Sequence, residues 1–202
     1  PVQFNRDQGF AITLYLAQRK GSASTSATGP DAIRETVAAA LAIASHTSED
    51  ESSGLADPQL MARDLKDFDL FHTWDITPEQ AIEKALACEA AAFDADSRIK
   101  NADGTTLSTH QGCRVYGNSN GFIGGSASTR HCLSCVMIAE GDGQIQRDYW
   151  YDVNCQGELL ADAAVIGRRA AERAARRLGS RPVPTCEVPV LFSAELAGGL
   201  FG

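Results

Sequence analysis

The 202-residue chain lacks the features of a membrane or secreted protein. It has no run of about eighteen apolar residues, the length at which a segment becomes a candidate membrane span. No cleavable secretion or transit signal stands at its start. The first residue is Pro1 rather than an initiator Met, and the last residues are apolar and glycine-rich. We expect a segment of a longer, cytoplasmic protein without membrane contact.

The sequence also shows no established zinc-protease or nucleotide-binding pattern. Its four histidines, at 46, 72, 110 and 131, form neither His-Glu-x-x-His nor the variant with one more residue. The glycine-rich stretch 117–125 lacks the lysine that reaches a phosphate in a P-loop, and its glycines suit hairpin turns. A substrate-lining loop stays open for this stretch. We therefore predict no catalytic residue and no metal ligand within this chain.

Its net charge of -8 argues against a large nucleic-acid-binding face. A basic stripe does occur in residues 162–181, where six arginines against Asp162 and Glu172 leave a charge of +4. No aromatic residues are interleaved with these arginines, so we interpret most of the stripe as a solvated helix face. We also consider pairing of the stripe with the acidic stretch 47–69, where seven acidic residues face two basic ones.

Six cysteines lie at positions 88, 113, 132, 135, 155 and 186. The count permits a disulfide framework, but a chain with 44% hydrophobic residues can build a core without such cross-links. Cys132 and Cys135 match the C-x-x-C pattern. They fall in a predicted strand, where residues three apart point to opposite faces. We interpret all six as reduced thiols and this pair as core residues.

The first part of the chain, residues 1–52, is predicted to be a small α/β unit. Strands are expected at 2–7, 10–18 and 22–26, forming an antiparallel meander with a tight turn at 19–21. A helix with Pro30 at its first position should follow, to about residue 45. Residues 53–76 then form an acidic linker.

The second part, residues 77–187, is predicted to be an antiparallel sheet with flanking helices. Thr77 and Gln80 form a capping box for a helix of residues 78–94, in which Leu86 and Phe93 should be buried. Strands are expected at 98–109, broken by a turn at 103–104, and at 113–119, 121–127, 131–139 and 145–153. A second helix spans 162–178. Residues 188–202 begin a further domain, with a strand at 188–192. The fold class is therefore α+β.

Three consecutive aromatic residues, Tyr149, Trp150 and Tyr151, lie between charged residues. On a strand, Tyr149 and Tyr151 share one face and Trp150 lies on the other. Core and sheet-surface packing explains such a pattern, and a peptide- or subunit-binding face is the alternative.

Several stretches resemble the PmbA/TldD family, once called modulators of DNA gyrase, and especially its PmbA/TldE branch. They read RKGSASTS at 19–26, TSEDESSGLAD at 47–57, VYGNSNGF at 115–122, RDYWY at 147–151 and GRRAAER at 167–173, which leads to Pro184-Thr185. The resemblance covers the whole chain, which corresponds to a little under half of a full-length member.

This resemblance implies a first and a middle domain, followed by a mostly β C-terminal domain that is nearly absent here. In the family, the TldD branch carries a zinc motif and the PmbA/TldE branch lacks it, and the two form a heterodimeric peptide protease. We therefore expect a non-catalytic subunit, with zinc in its TldD-type partner and peptides as substrates. Asn118, Asn120 and Phe122, with Tyr149, Trp150 and Tyr151, are the candidate contact residues.

Three alternatives remain open at this stage. The full-length chain itself could be an active metallopeptidase, with its metal site beyond residue 202. It could instead be a regulatory protein that binds DNA gyrase without proteolysis. A homodimer is the alternative assembly to the heterodimer.

Overall fold

The computed structural model describes residues 1–201, and they form the α+β fold that the sequence predicts, with two antiparallel sheets. The chain divides into two units that exchange segments along the sequence. The first comprises residues 1–83, 108–132 and 153–160, and the second comprises residues 84–107, 133–152 and 161–202. None of the helices within residues 1–201 is long and apolar enough to cross a bilayer.

The first unit begins with a two-stranded hairpin rather than the predicted meander. Strands β1 (Phe10–Leu16) and β2 (Arg19–Thr25) pair antiparallel, with Phe10 opposite Thr25 and Leu16 opposite Arg19. The turn lies at Ala17 and Gln18, whose φ angles of 45° and 64° are those of a type I′ turn. The predicted turn at 19–21 was therefore wrong, and so was the strand at 2–7, which forms no ladder.

Helix α1 (Pro30–His46) packs on this hairpin, and Gly21 makes the close approach possible. A Cβ atom at Gly21 would lie 2.1 Å from the carbonyl oxygen of Ala40 and 2.4 Å from the amide nitrogen of Ala44. Thr36, Ala40 and Ala44 are the buried residues of the helix. Gly21 is thus needed for helix–strand packing, and not for the turn in which the sequence analysis placed it.

Residues 47–77 contain little regular structure, as their polar and acidic composition predicts. One short 3-10 helix, Pro58–Leu60, is capped by the Asp57 side chain. Near the end of the segment, the Trp74 ring packs against Gly157, where a Cβ atom would lie 2.1 Å from the ring. Only glycine leaves room for the indole there.

Helix α2 (Pro78–Ala95) begins with the predicted capping box. The Thr77 amide donates to Gln80 Oε1 at 3.0 Å, and the Gln80 amide donates to Thr77 Oγ1 at 3.3 Å. The predicted burial of Leu86 and Phe93 was wrong, because they are 62% and 38% exposed. The buried residues are Cys88 and Ala92. Small side chains face the core because another helix crosses α2 closely at this point.

That helix is α3 (Ala163–Arg176), which the Asp162 side chain caps at its first turn. Its buried face includes Ile166, Gly167 and Ala170. A Cβ atom at Gly167 would lie 2.0 Å from the carbonyl oxygen of Cys88. The backbones of the two helices therefore touch at this glycine.

Three strands form the main sheet, in the order β3-β4-β5. They are β3 (Ile99–Gly117), β4 (Ile123–Gly141) and β5 (Gln144–Asn154). The predicted turn at 103–104 and the predicted break between strands 121–127 and 131–139 were wrong, because β3 and β4 run on as long strands. Gly104 adopts a φ of 123° within β3, so the turn signal marks a local irregularity in a continuous strand. The β4–β5 turn is the predicted one, with positive φ at Asp142 and Gly143.

Residues 180–193 form no helix or strand, so the predicted strand at 188–192 was wrong. A single helical turn, α4 (Ala194–Ala197), follows. Apolar side chains before and after α4, including Leu191 and Phe201, are exposed. An extended apolar stretch becomes a strand only when another strand pairs with it, and no such pairing occurs within residues 1–201. Gly202 lies outside the described residues.

Candidate functional site

Strand β5 places Tyr149 and Tyr151 on one face and Trp150 on the other, as the alternation of side chains along a strand predicts. The Tyr149 and Tyr151 rings stack with their centroids 6.1 Å apart and their planes at 23°. They are 45% and 41% exposed, whereas Trp150 between them is half-buried. We call Tyr149 and Tyr151, with the exposed Ile145 of the same strand face, the tyrosine face. It lies on the side of the sheet opposite to α3.

Trp150 instead contacts helix α3. The guanidinium carbon of Arg169 lies 4.0 Å from the Trp150 ring centroid, and that of Arg173 lies 5.1 Å away. Such cation–π contacts stabilise by about 0.5–2 kcal/mol, depending on exposure. Trp150 therefore anchors the helix on the sheet and is not part of the exposed tyrosine face.

Asp148 forms ion pairs with Arg173 and Arg177 from a nearly buried position. Its Oδ1 accepts the Tyr149 amide at 2.8 Å, and its carboxylate lies 3.5 Å from Arg173 Nε and 3.4 Å from Arg177 Nη1. Burial alone raises the pKa of Asp148, but the Tyr149 amide and the two guanidiniums outweigh burial and lower that pKa below its ordinary value.

One arginine of the stripe is less solvated than the sequence suggested, because Arg173 is half-buried whereas the other five arginines are exposed. Arg173 lies in ion pairs with Asp148 and Glu195. The hypothesis that the stripe pairs with the acidic stretch 47–69 was therefore wrong for this residue. Asp148 was overlooked because a single acidic residue in an exposed-looking strand carries no sequence signal.

The second group of candidate residues forms the turn between β3 and β4. Asn118 Oδ1 accepts the amides of Asn120 at 3.1 Å and Phe122 at 3.3 Å. Asn120 Nδ2 donates to the Ala56 carbonyl at 3.2 Å. Phe122 packs against Tyr116, with centroids 5.9 Å apart. Asn118 and Asn120 thus already have structural partners, and this turn belongs to the first unit whereas the tyrosine face belongs to the second.

The C-x-x-C pair lies on β4, and its two thiols point to opposite faces as predicted. Residues 129, 131, 133, 135, 137 and 139 are buried in strict alternation, so Cys135 is inside and Cys132 is on the other face. Within residues 1–201, no three side chains of His, Cys, Asp or Glu come together in a group that could hold a metal ion.

Two of the histidines make structural contacts in the first unit. His131 is buried, with its ring edge-on to Trp74 at 5.3 Å and its Nε2 3.1 Å from the His72 carbonyl. His72 Nε2 lies 2.8 Å from the Asp69 carbonyl. The His131 ring helps to hold the segment before α2 against β4, whereas the His72 ring bonds within that segment.

A cluster of sulfur atoms in the second unit was missed by the sequence analysis. Cys88, Cys135 and Met137 are all fully buried. The neighbouring Cys135 side chain and burial raise the pKa of the Cys88 thiol, because both favour its protonated form. The alternation of side chains along β4 would have placed Cys135 and Met137 on the same face of the strand. Only the packing of α2 on the sheet adds Cys88.

Family models match most of this chain. The PmbA/TldA metallopeptidase central domain matches residues 71–178, and domain 1 of the same metallopeptidases matches residues 1–44. The chain belongs to the PmbA/TldD family. The matched central domain contains the tyrosine face, the sulfur cluster and five of the six arginines of the stripe.

Known relatives in the PmbA/TldD family agree with this assignment. The chain is 45% identical to metalloprotease PmbA of Escherichia coli O157:H7, over 100% of this chain and 45% of that protein. It is 40% identical to a metalloprotease PmbA homolog of Haemophilus influenzae, over 98% of this chain and 44% of that protein. The chain thus spans less than half the length of these curated relatives.

Solved structures show the same fold. A protein of Bacteroides thetaiotaomicron assigned as a modulator of DNA gyrase superposes with a TM-score of 0.77 at 27% identity, over 87% of this chain and 40% of that one. TldE of Thermococcus kodakarensis superposes with a TM-score of 0.62 at 19% identity, over 81% of this chain and 36% of that one. The second likeness concerns the fold alone.

Proposed function

We propose that this chain is part of a non-catalytic PmbA/TldE-type subunit of a zinc metalloprotease complex that degrades or trims peptides. In this proposal a TldD-type paralogue forms the heterodimer and supplies the zinc ion and the general base. The chain contributes binding surface. The observation that carries the proposal is the tyrosine face, exposed in the central domain of a family whose relatives are named metalloproteases.

The tyrosine face suits an extended peptide for two physical reasons. Stacked, partly exposed tyrosines offer large apolar contact area at a low cost in side-chain entropy, and they are enriched where proteins bind partners. Strand β5 is also at an edge of the sheet in the described residues. An edge strand has unpaired backbone groups that a peptide in extended conformation can join as a further strand.

The test of this assignment is peptide cleavage by the full-length gene product, alone and mixed with its TldD-type paralogue. We expect zinc-dependent cleavage only in the mixture, with loss of activity on chelation and recovery when zinc is restored. Cleavage by the full-length protein alone would instead support the alternative of an active metallopeptidase. Cleavage by the paralogue alone, unchanged by adding this protein, would contradict the proposal.

The tyrosine face gives a second test in the same assay. Changing both Tyr149 and Tyr151 to Ser should raise the KM of the mixture about tenfold, because each buried aromatic contact contributes about 1 kcal/mol or more. Tyr15→Ser is the matched control, since Tyr15 is a partly exposed strand tyrosine outside the tyrosine face. An unchanged KM for the double variant would exclude this face from peptide binding.

Binding to DNA gyrase without proteolysis remains the second candidate, suggested by the assignment of the Bacteroides relative. Salt-sensitive binding of gyrase or DNA by the full-length protein, with no cleavage in the mixture, would favour it. The arginines available for such contact are reduced in number, because Arg169 and Arg173 lie over Trp150 and Arg177 pairs with Asp148.

A further inference from the structure

The turn between β3 and β4 contains the dipeptide Asn120-Gly121, which the proposed peptide contacts on the tyrosine face do not use. The dipeptide lies after the end of β3 at Gly117 and before the start of β4 at Ile123. Both of its residues are exposed, and Gly121 adopts a φ of 84°. Of the five asparagines in the sequence, Asn120 is the one that a glycine follows.

The residue after an asparagine decides how readily its side chain reacts with the backbone. In this reaction the next amide nitrogen loses its proton and attacks the side-chain carbon Cγ. Glycine permits the approach because it has no Cβ and adopts many backbone conformations. Asn101 and Asn154 lie in β3 and β5, where the extended backbone opposes such a movement. Asn120 lies outside both strands of its hairpin, so its backbone is not held in this way.

Hydrogen bonds occupy the two groups of the dipeptide that would react. The Gly121 amide donates to the Asn118 carbonyl at 3.1 Å, and Asn120 Nδ2 donates to the Ala56 carbonyl at 3.2 Å. Both bonds lie at the surface. One such bond slows a reaction that must break it by about two- to tenfold. The turn therefore delays the attack without preventing it.

We propose that Asn120 is a site of spontaneous deamidation, and that its conversion loosens the acidic stretch 47–69 from the β3–β4 turn. A bond forms between the Gly121 nitrogen and Asn120 Cγ, the bond from Cγ to Nδ2 breaks, and ammonia leaves. Water then adds to either carbonyl of the cyclic imide and opens the ring. The product is an aspartate or an isoaspartate at position 120, and nothing is oxidised or reduced.

The conversion removes the donor that holds Ala56. A carboxylate accepts hydrogen bonds but does not donate them, and the Ala56 carbonyl also only accepts, so the two oxygens repel each other. The new negative charge also lies beside a stretch in which seven acidic residues face two basic ones. Leu65 still lies near Gly124, where a Cβ atom would be 3.1 Å from Leu65 Cδ1. The acidic stretch is therefore loosened around Ala56 and not detached along its whole length.

The first experiment measures the conversion in the full-length gene product. The folded protein is incubated in neutral and in mildly alkaline buffer, and its peptides are analysed by mass spectrometry, with isoaspartate detected by enzymatic methylation. A digest made without incubation measures the conversion that sample preparation causes. We expect Asn120 to convert about tenfold or more faster than Asn118, which a serine follows. The rate should rise with pH, because the attacking nitrogen must lose its proton.

The second experiment measures how firmly the acidic stretch is held. Trypsin cleaves after Arg63 and Lys66, and the cleavage rate follows the population of the opened segment when opening is fast. Asn120→Asp should increase this rate about two- to tenfold, because the hydrogen bond to the Ala56 carbonyl is lost. Asn120→Ala removes the donor without adding charge and should give a rate between the two. Asn101→Asp is the matched control, since it adds the same charge at an exposed residue of β3 and should leave the rate unchanged.

Two outcomes would overturn the proposal. Conversion of Asn120 no faster than that of Asn118 would mean that the turn protects the dipeptide fully. Equal cleavage rates for wild type and Asn120→Asp would mean that the bond to Ala56 does not hold the acidic stretch. Circular dichroism shows whether the variants keep the fold, and wild-type protein converted by incubation repeats the trypsin test without a substitution. Neither outcome depends on whether the protein takes part in peptide cleavage.

Discussion

Gly167→Ala is expected to lower the free energy of unfolding of the protein, although alanine is the better helix former. In an exposed helix, this change stabilises by about 1 kcal/mol because glycine loses more backbone entropy on folding. Here the added Cβ would lie 2.0 Å from the Cys88 carbonyl oxygen and 3.2 Å from the Ala92 amide nitrogen. Backbone atoms cannot turn aside as a side chain can, so α2 and α3 must separate.

The cost of separating the helices should exceed the gain in helix propensity. Overpacking typically destabilises by about 1–3 kcal/mol, and the gap that opens also reduces burial of Ile166 and Ala170. The measurement is urea unfolding followed by circular dichroism. Gly54→Ala is the matched control, because a Cβ at Gly54 meets nothing within 4 Å. Equal or higher stability of Gly167→Ala would show that the two helices do not pack this closely.

Asp148→Asn is expected to lower the free energy of unfolding by about 2–3 kcal/mol, because it leaves Arg173 without its nearly buried counterion. The Asp148 and Arg173 side chains are 10% and 24% exposed, so solvent screens this pair weakly. Arg177 is more exposed and contributes less. An asparagine also places an amide where the guanidiniums require an acceptor.

The surface pair of Asp103 and Arg147 is the matched comparison. It is bidentate, with two nitrogens within 2.9 Å of Asp103 Oδ2, but both side chains are more than half exposed. Asp103→Asn should therefore change the free energy of unfolding by less than about 1 kcal/mol. Equal effects of the two substitutions would contradict the burial of Asp148 against α3.

The contribution of Asp148 should also depend on pH in a defined direction. Its pKa in the folded protein is lowered, so the unfolded chain binds a proton more readily than the folded one. The stabilisation is therefore fully present above the unfolded pKa of about 3.9 and is lost as pH falls through the lower folded pKa. The difference between wild type and Asp148→Asn should shrink below about pH 4.

Elements with their own local signals were predicted correctly from the sequence. The capping box at Thr77 and Gln80, Pro30 at the start of α1, and the β4–β5 turn are set by side chains within a few residues. The alternation of Tyr149, Trp150 and Tyr151 follows in the same way from strand geometry. These signals are local, so they do not require knowledge of the rest of the fold.

Errors occurred where a local signal was overruled by distant residues. Gly104 looked like a turn, but pairing along the sheet keeps β3 continuous. Leu86 and Phe93 looked like core residues, but the contact at Gly167 turns the small face of α2 inward. Gly21 looked like a turn residue, but its lack of a side chain leaves room for α1 to pack on the hairpin.

By itself the sequence determined the α+β class, the three long helices, the family resemblance and the opposite faces of the aromatic residues on β5. These features depend on residues that are close together in the sequence, such as helical and strand periodicities, capping residues and the order of motifs. They can therefore be predicted without knowledge of the tertiary structure. The tertiary structure alone decided that Asp148 binds two arginines, that Trp150 packs on α3, and that Cys88 joins Cys135 and Met137. Those contacts join residues far apart in the chain, and their formation depends on how closely the helices approach the sheet.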